Sequence, residues 1–216
     1  MILATNNKNK IREIKQILSG YDIKSLSEVN ICIDVEEDQN TFYGNASKKA
    51  REIFEVANEP VIADDSGICI DAFENWPGVM THRFLGDNAS DRDRNLAIIE
   101  KMNGLEGEAR KASVVCSLVL HDGKVYIDGN GILRGYITHE PRGANGFGFD
   151  EIFEISYIEF DEKSKITTQE KETIDNILKT IKGKTLAELT PEEKNQISAR
   201  YLATLDLKNK MDTYVE

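Results

Sequence analysis

The chain has 216 residues, of which 30% are charged and 40% hydrophobic, and its formal net charge is −11. That length supports one large domain or two lobes about a shared core. The acidity excludes a protein that wraps a nucleic acid polymer or an anionic membrane, which needs a basic face, but leaves room for a small phosphorylated ligand held by a local cluster of Lys and Arg.

"MILATNNKNKIREIKQILSG" opens as strand, loop and helix. Met1 to Ala4 are mostly apolar, Ile11, Ile14 and Leu18 recur on one helix face, and Gly20 is a natural stop. "ICIDVEED" (31–38) reads as a second strand ending in acids. In residues 41–57, Phe42, Ala46, Ala50, Ile53, Phe54 and Ala57 form the stripe of a core-facing helix. "VIADDSGICIDAF" (61–73) is an apolar strand that runs into two adjacent acids, Asp64 and Asp65. Asp-Asp-Ser-Gly is good turn chemistry, yet strand ends in open α/β sheets are also where ligands sit. Both readings stand at this point.

Residues 90–103 read as a helix opened by Ser90 or Asp91. "KASVVCSLVLH" and "KVYIDGNGILRGYI" are two long strands joined by Asp122-Gly123, a strong hairpin signal. "GANGFGFDEIFEI" is a glycine-rich loop feeding a strand, with Phe147 and Phe149 on one strand face. Residues 157–183 are highly charged and carry their own amphipathic helix at Ile174, Ile177, Leu178 and Ile181, which suggests an insertion at the surface of a single two-lobed domain. A C-terminal helix starts at "LTPEEKN", where Thr190 and Glu193 form a capping box around Pro191. The whole pattern predicts a mixed α/β fold: a strongly twisted sheet with flanking helices and two lobes around a central cleft.

The three cysteines, Cys32, Cys69 and Cys116, are far apart and include no C-x-x-C pair. They read as reduced thiols of a cytoplasmic protein. Thr5, Asn6, Asn7, Lys8, Asn9 and Lys10 lie between a strand and a helix N-terminus, where free N–H groups and the helix dipole favour an anion. Lys49 falls on the apolar flank of its helix, and Lys194, with Arg200 nearby, has a similar place on the last one. Inward lysines snorkel to water or reach a phosphate. Glu36-Glu37 and Asp64-Asp65 end two strands in acids. Brought together, they would hold a hard divalent cation such as Mg²⁺, which takes one or two carboxylates, waters and phosphate oxygens. Phe147 and Phe149 could stack a nucleobase, with Gly148 letting the backbone approach it closely.

"ATNNKNK", "VEEDQNTFYGNASKKA", "ADDSGICIDA", "PGVMTHRF", "EPRGANGFGFDEIF" and "KTLAELTPEEKNQISAR" resemble, in order, the motifs of the inosine/xanthosine triphosphate pyrophosphatases. The resemblance runs from residue 2 to about 204, apart from the insertion. It implies a Mg²⁺-dependent homodimer that cleaves a non-standard purine nucleoside triphosphate to monophosphate and pyrophosphate. On that resemblance, Thr5 to Lys10 and Lys49 would hold the triphosphate. Glu37, with Glu36 as the alternative, and Asp65 would bind metal. Asp65 would also accept the proton, with a depressed pKa beside the metal, and Asp64 would form the turn or support its neighbour. Ser66 would touch substrate, and Phe147, Gly148, Phe149, Asp150, Lys194 and Arg200 would surround the base. Three departures stand out: Ala199 where the family has His, Glu151 where it has Pro, and the insertion. A nucleotide sensor without turnover, and a phosphatase acting on ordinary nucleotides, are the rival readings.

Overall fold

The computed structural model describes residues 1–86 and 88–215. Two short strands, β1 (Ile2–Leu3) and β2 (Lys24–Ser25), pair in parallel, and β1 also pairs in parallel with β3 (Val61–Ile70). Parallel neighbours need crossovers, and α1 (Lys8–Ile17) and α2 (Phe42–Ala57) lie in them. The rest of the sheet is antiparallel: β3 with β5 (Lys111–His121), β5 with β6 (Tyr126–Ile137), and β6 with β7 (Phe153–Glu159). A two-residue β4 (Trp76–Pro77) extends the far end of β3. The sheet order is β2-β1-β3-β5-β6-β7, so the expected mixed sheet is present. The remaining helices are α3 (Asp91–Lys101), α4 (Thr168–Ile181), α5 (Pro191–Lys194) and α6 (Ala199–Val215).

Side chains alternate across a strand, and here each alternation divides two cores. Leu3, Ile62, Leu118 and Leu120 face the larger core, shared with Ile14 of α1 and with Leu202 and Ala203 of α6. Ile2, Ala4, Val61, Ala63 and Val119 face the smaller core, shared with Ala46, Ala50 and Ile53 of α2. Two glycines let α6 approach β6. A Cβ on Gly131 would lie 2.1 Å from the Ala199 carbonyl oxygen, and one on Gly129 would lie 2.1 Å from that of Ala203.

Four sequence-based expectations change. Residues 31–38 form no ladder; Ile31, Ile33 and Val35 turn into the α2-side core, so their alternation marks a buried face without a hydrogen-bonded neighbour. Asp64 and Asp65 do not end a strand or make a turn. They sit in the middle of a ten-residue β3, opposite Leu118 and Ser117 of β5. Phe147 and Phe149 are in a turn, not a strand, because Gly146 and Gly148 take φ of +83° and +64°. The C-terminal helix breaks after Lys194 and restarts at Ala199, where the Ser198 hydroxyl accepts from the Tyr201 amide at 3.1 Å as a new N-cap.

Residues 157–183 are less peripheral than their charge suggests. Tyr157 to Glu159 belong to β7, and Ile166, Ile174, Leu178 and Ile181 are buried in the larger core. The charge that dominates the sequence lies on the outer face of α4 and in the turn before it, Asp161 to Lys165.

Candidate active site

The alternation that divides the cores also divides the two acids of β3. Asp65 continues the face of Val61 and Ala63, toward α2. Asp64 continues the face of Ile62, toward α1 and α6. Both are almost fully buried, at 3% and 1% exposure, and a buried carboxylate must be paired or hydrogen-bonded.

On the α2 face, the Asn45 amide donates to Asp65 Oδ2 at 2.8 Å, and the Ser66 backbone N–H donates to Oδ1 at 2.8 Å. Lys49, one helical turn after Asn45, donates to Glu37 and, at 3.1 Å, to the Asp64 carbonyl. Arg83 reaches the other Glu37 oxygen at 3.5 Å. Burial would raise the Glu37 carboxyl, but Lys49, Lys10 and Arg83 hold it below the ordinary range. Asp65 goes the other way. Burial first, and Glu37 second, push it up to about 6 against the pull of Asn45, Lys49 and Lys10. Lys49 and Lys10 still pull it down, but burial outweighs them; the depressed value anticipated for Asp65 belongs to the site with a cation beside it.

On the other face runs a chain of buried charges. Lys10 Nζ lies 2.9 Å from Asp64, and Arg200 Nε lies 3.5 Å from the same oxygen. Arg200 also donates to Glu13 at 2.7 Å and to the Ser66 hydroxyl at 3.0 Å. Glu13 lies 3.5 Å from Lys194, which donates to Asp150 at 2.6 Å. Asp150 in turn accepts from the Phe147 amide at 2.8 Å. The Phe147 ring lies under these cations, 4.2 Å from Lys194 Nζ and 5.7 Å from the Arg200 guanidinium, within the range of cation–π attraction. Burial would raise Asp64, but Lys10, Arg200 and Lys49 hold it well below the usual carboxylate range.

Ser66, Phe147, Asp150, Lys194, Ala199 and Arg200 thus line one pocket, with Gly148 and Phe149 beside them. The structure brings Glu37 to this site and leaves Glu36 exposed. In the loop after β1, the Asn7 side chain accepts from the amides of Asn9 and Lys10, at 2.9 and 3.3 Å, and Thr5 Oγ1 accepts from Asn7. Several donors expected to face an anion are therefore capped by the loop itself. Asn6 and Lys8 are exposed there, and Lys10 is turned inward.

Sequence reasoning did not single out Glu13, Asn45 and Arg83, or His82, which also lines the Phe147 pocket. Glu13 could have been found, because it falls three residues after Lys10 and beside the buried Ile14, where a charge needs a partner. Asn45 immediately precedes Ala46 of the apolar stripe and is itself buried at 1% exposure. His82 and Arg83 arrive on an irregular segment whose path no periodicity announces. Gly67 explains that path: a Cβ there would meet Thr81 Oγ1 at 2.4 Å and the Gly78 carbonyl at 2.6 Å, so the segment lies directly on β3.

The Ham1 family model matches residues 1–210. The chain belongs to the Ham1 family. A Bacillus subtilis (strain 168) protein named dITP/XTP pyrophosphatase is 38% identical over 202 residues, covering 92% of this chain and 90% of its own. One of the same name from Clostridium tetani is 35% identical over 222 residues, covering 100% and 98%. Among solved structures, the Staphylococcus aureus Ham1 protein superposes with a TM-score of 0.79 at 30% identity, covering 100% of this chain and 98% of that one. A HAM1 protein from Coxiella burnetii gives 0.78 at 32% identity, covering 99% and 98%. The clustered side chains therefore lie within a Ham1 fold matched along nearly its whole length.

Proposed function

We propose that this Ham1-family chain hydrolyses non-standard purine nucleoside triphosphates, dITP and XTP among them, to the monophosphate and pyrophosphate. The names of its relatives support the substrate. The observation that carries the reading is the middle of β3. One strand turns Asp65 toward Glu37 and Lys49 on one face, and Ser66 toward Arg200 and the Phe147 pocket on the other. A substrate lying across that strand would meet acid chemistry at its phosphates and a stacking pocket at its base.

Glu37 and Asp65 suit a divalent cation. They are hard oxygen donors, and the mutual repulsion that helps to raise Asp65 is what a bound Mg²⁺ would relieve. Such a cation would neutralise charge on the phosphate oxygens. Asp65, with Asn45 and the Ser66 amide fixing its orientation, would take a proton from the attacking water. Lys49 and Lys10, at the same end, would exchange their carboxylate partners for phosphate oxygens. Arg200 and Lys194 would face the base, with Phe147 stacked against it.

A homodimer in the cytoplasm completes the reading. Beyond α2, Val115, Ile132 and Arg134 on the sheet adjoin Phe73 and Trp76 in an open groove, which a second copy would cover. The three cysteines are free thiols, which suits a reducing compartment. Among the described residues, no helix is long and apolar enough to cross a membrane.

The test is the product released from dITP with Mg²⁺. Pyrophosphate is expected. Orthophosphate as the direct product would overturn the reading, and tight binding without product would make the chain a sensor. Ala199 offers a second measurement. It lines the pocket beside Arg200 and gives the base no side-chain donor. Ala199→His should raise the inosine-over-adenosine ratio of kcat/KM by up to about tenfold, the effect of one modest hydrogen bond. An unchanged ratio would move selectivity to the loop of Phe147 to Asp150.

A further inference from the structure

The loop that carries Phe147 is held from both sides. On one side Asp150 accepts from the Phe147 amide and from Lys194. On the other, one face of α3 takes both backbone polar groups of Gly148. Asp91 Oδ2 accepts from the Gly148 N–H at 2.9 Å, and the Asn95 amide donates to the Gly148 carbonyl at 2.8 Å. Asp91 and Asn95 are four residues apart, so they project from the same side of the helix. Asn95 is 2% exposed, and its second amide hydrogen goes to Glu151 Oε1 at 3.0 Å.

We infer that Asn95, together with Glu151, is a positioning residue that sets the height of the Phe147–Asp150 loop over the pocket and so tunes base selection. Gly148 sits at φ +64°, a conformation that glycine samples along with several others. Something must select it. A proline after Asp150, as in the motif this sequence resembles, would stiffen the residue before it. Glu151 cannot do that. It instead accepts a hydrogen bond from the same side chain that grips Gly148, so fixation by the ring is replaced by fixation through α3.

This inference rests on the proposed pyrophosphatase reading. It is tested by comparing Asn95→Ala, Glu151→Ala and Glu151→Gln with the unmodified chain in three measurements: the dITP-over-dATP ratio of kcat/KM, inhibition by inosine monophosphate, and inhibition by pyrophosphate. Asn95→Ala and Glu151→Ala should lower the ratio and weaken the monophosphate by about three- to tenfold, the worth of one hydrogen bond. Pyrophosphate inhibition should stay put, because pyrophosphate has no base to reach the loop. Glu151→Gln keeps an acceptor and should restore both values. Glu151 is partly exposed, so its variants report even if Asn95→Ala unfolds. Unchanged selectivity and monophosphate inhibition in Glu151→Ala, or equal weakening of monophosphate and pyrophosphate, would overturn the inference. Failure of the unmodified chain to turn over dITP would instead remove the functional reading, and direct binding of inosine monophosphate and of pyrophosphate, measured by calorimetry on the same variants, would still decide the clamp.

Discussion

Asp65→Asn should lower kcat by about 10²–10⁴-fold, the usual contribution of a positioned acid or base, while making the metal-free protein more stable at neutral pH. The two effects have one cause. Folding moves the Asp65 carboxyl from an ordinary 3.8 up to about 6, through burial and the nearby Glu37. Above pH 6 the group is ionised in both the folded and the unfolded chain, and the folded chain bears a penalty of at most about 3 kcal/mol, from roughly 1.4 kcal/mol per pKa unit. A neutral amide removes it. One of the two hydrogen bonds from Asn45 and the Ser66 amide then loses its acceptor, at a cost of about 1 kcal/mol, so the net gain is on the order of 1–2 kcal/mol. The gain should shrink as pH falls from 6 and disappear below about 4, where the wild-type carboxyl is protonated in both states. Thermal unfolding of the metal-free proteins at pH 7.5 and pH 4, beside initial rates with dITP, checks both halves. A variant that keeps a tenth of the activity would assign the proton to another group. Equal destabilisation at both pH values would show that Asp65 carries no burial penalty.

Removing residues 159–182, with a short linker in their place, should abolish the native fold. By charge alone the segment looks dispensable. Its buried side, however, places Ile166, Ile174, Leu178 and Ile181 in the larger core, at about 1.5–3 kcal/mol for each buried aliphatic side chain. The total is on the order of 10 kcal/mol, as large as the whole stability of a typical domain, about 5–15 kcal/mol. Polar anchors go with it: the Lys165 amide donates to buried Asp206 at 2.6 Å, and Arg134 pairs with Glu159 at 2.6 Å. Near-UV circular dichroism and dye binding should report a molten or aggregated chain. A cooperative transition near the wild-type temperature would return the segment to the periphery. Ile174→Ala is the milder control, expected to cost about 2–5 kcal/mol.

What could be read from the sequence depended on how local its cause is. α2, α3 and the long hairpin were legible because a repeating apolar stripe, a capping serine and an Asp-Gly turn act over a few residues. The acids of β3 were singled out in the sequence and lie elsewhere than expected, in mid-strand. Asp-Asp-Ser-Gly satisfies every local rule for a turn, and only pairing with β5 across more than 40 residues of chain holds it extended. Residues 31–38 failed in the opposite sense: their alternation records burial, while pairing depends on an available strand edge. The candidate residues that the structure brings together, Asp65, Ser66, Lys49, Phe147, Asp150, Lys194 and Arg200 among them, came from ordered motifs. Those missed serve as partners. Glu13 and Asn45 acquire meaning only when α1 meets α6 and α2 meets β3.

The run Lys10–Asp64–Arg200–Glu13–Lys194–Asp150 alternates in sign from end to end, with every side chain at most 12% exposed. Lys10 and Asp150, at the two ends, each have one partner in the run, so neutralising Asp64 or Lys194 leaves a buried charge without its opposite, a loss of about 3–5 kcal/mol; the other members leave their neighbours with a second partner. Single-step drift at Asp64 and Lys194 is therefore closed to the protein while its stability margin remains ordinary. Divergence there has to proceed by paired exchanges, or after stabilising changes elsewhere. The network would act as a ratchet on sequence change, holding α1, β3 and α6 to a shared set of charges while the outer face of α4 remains free to vary.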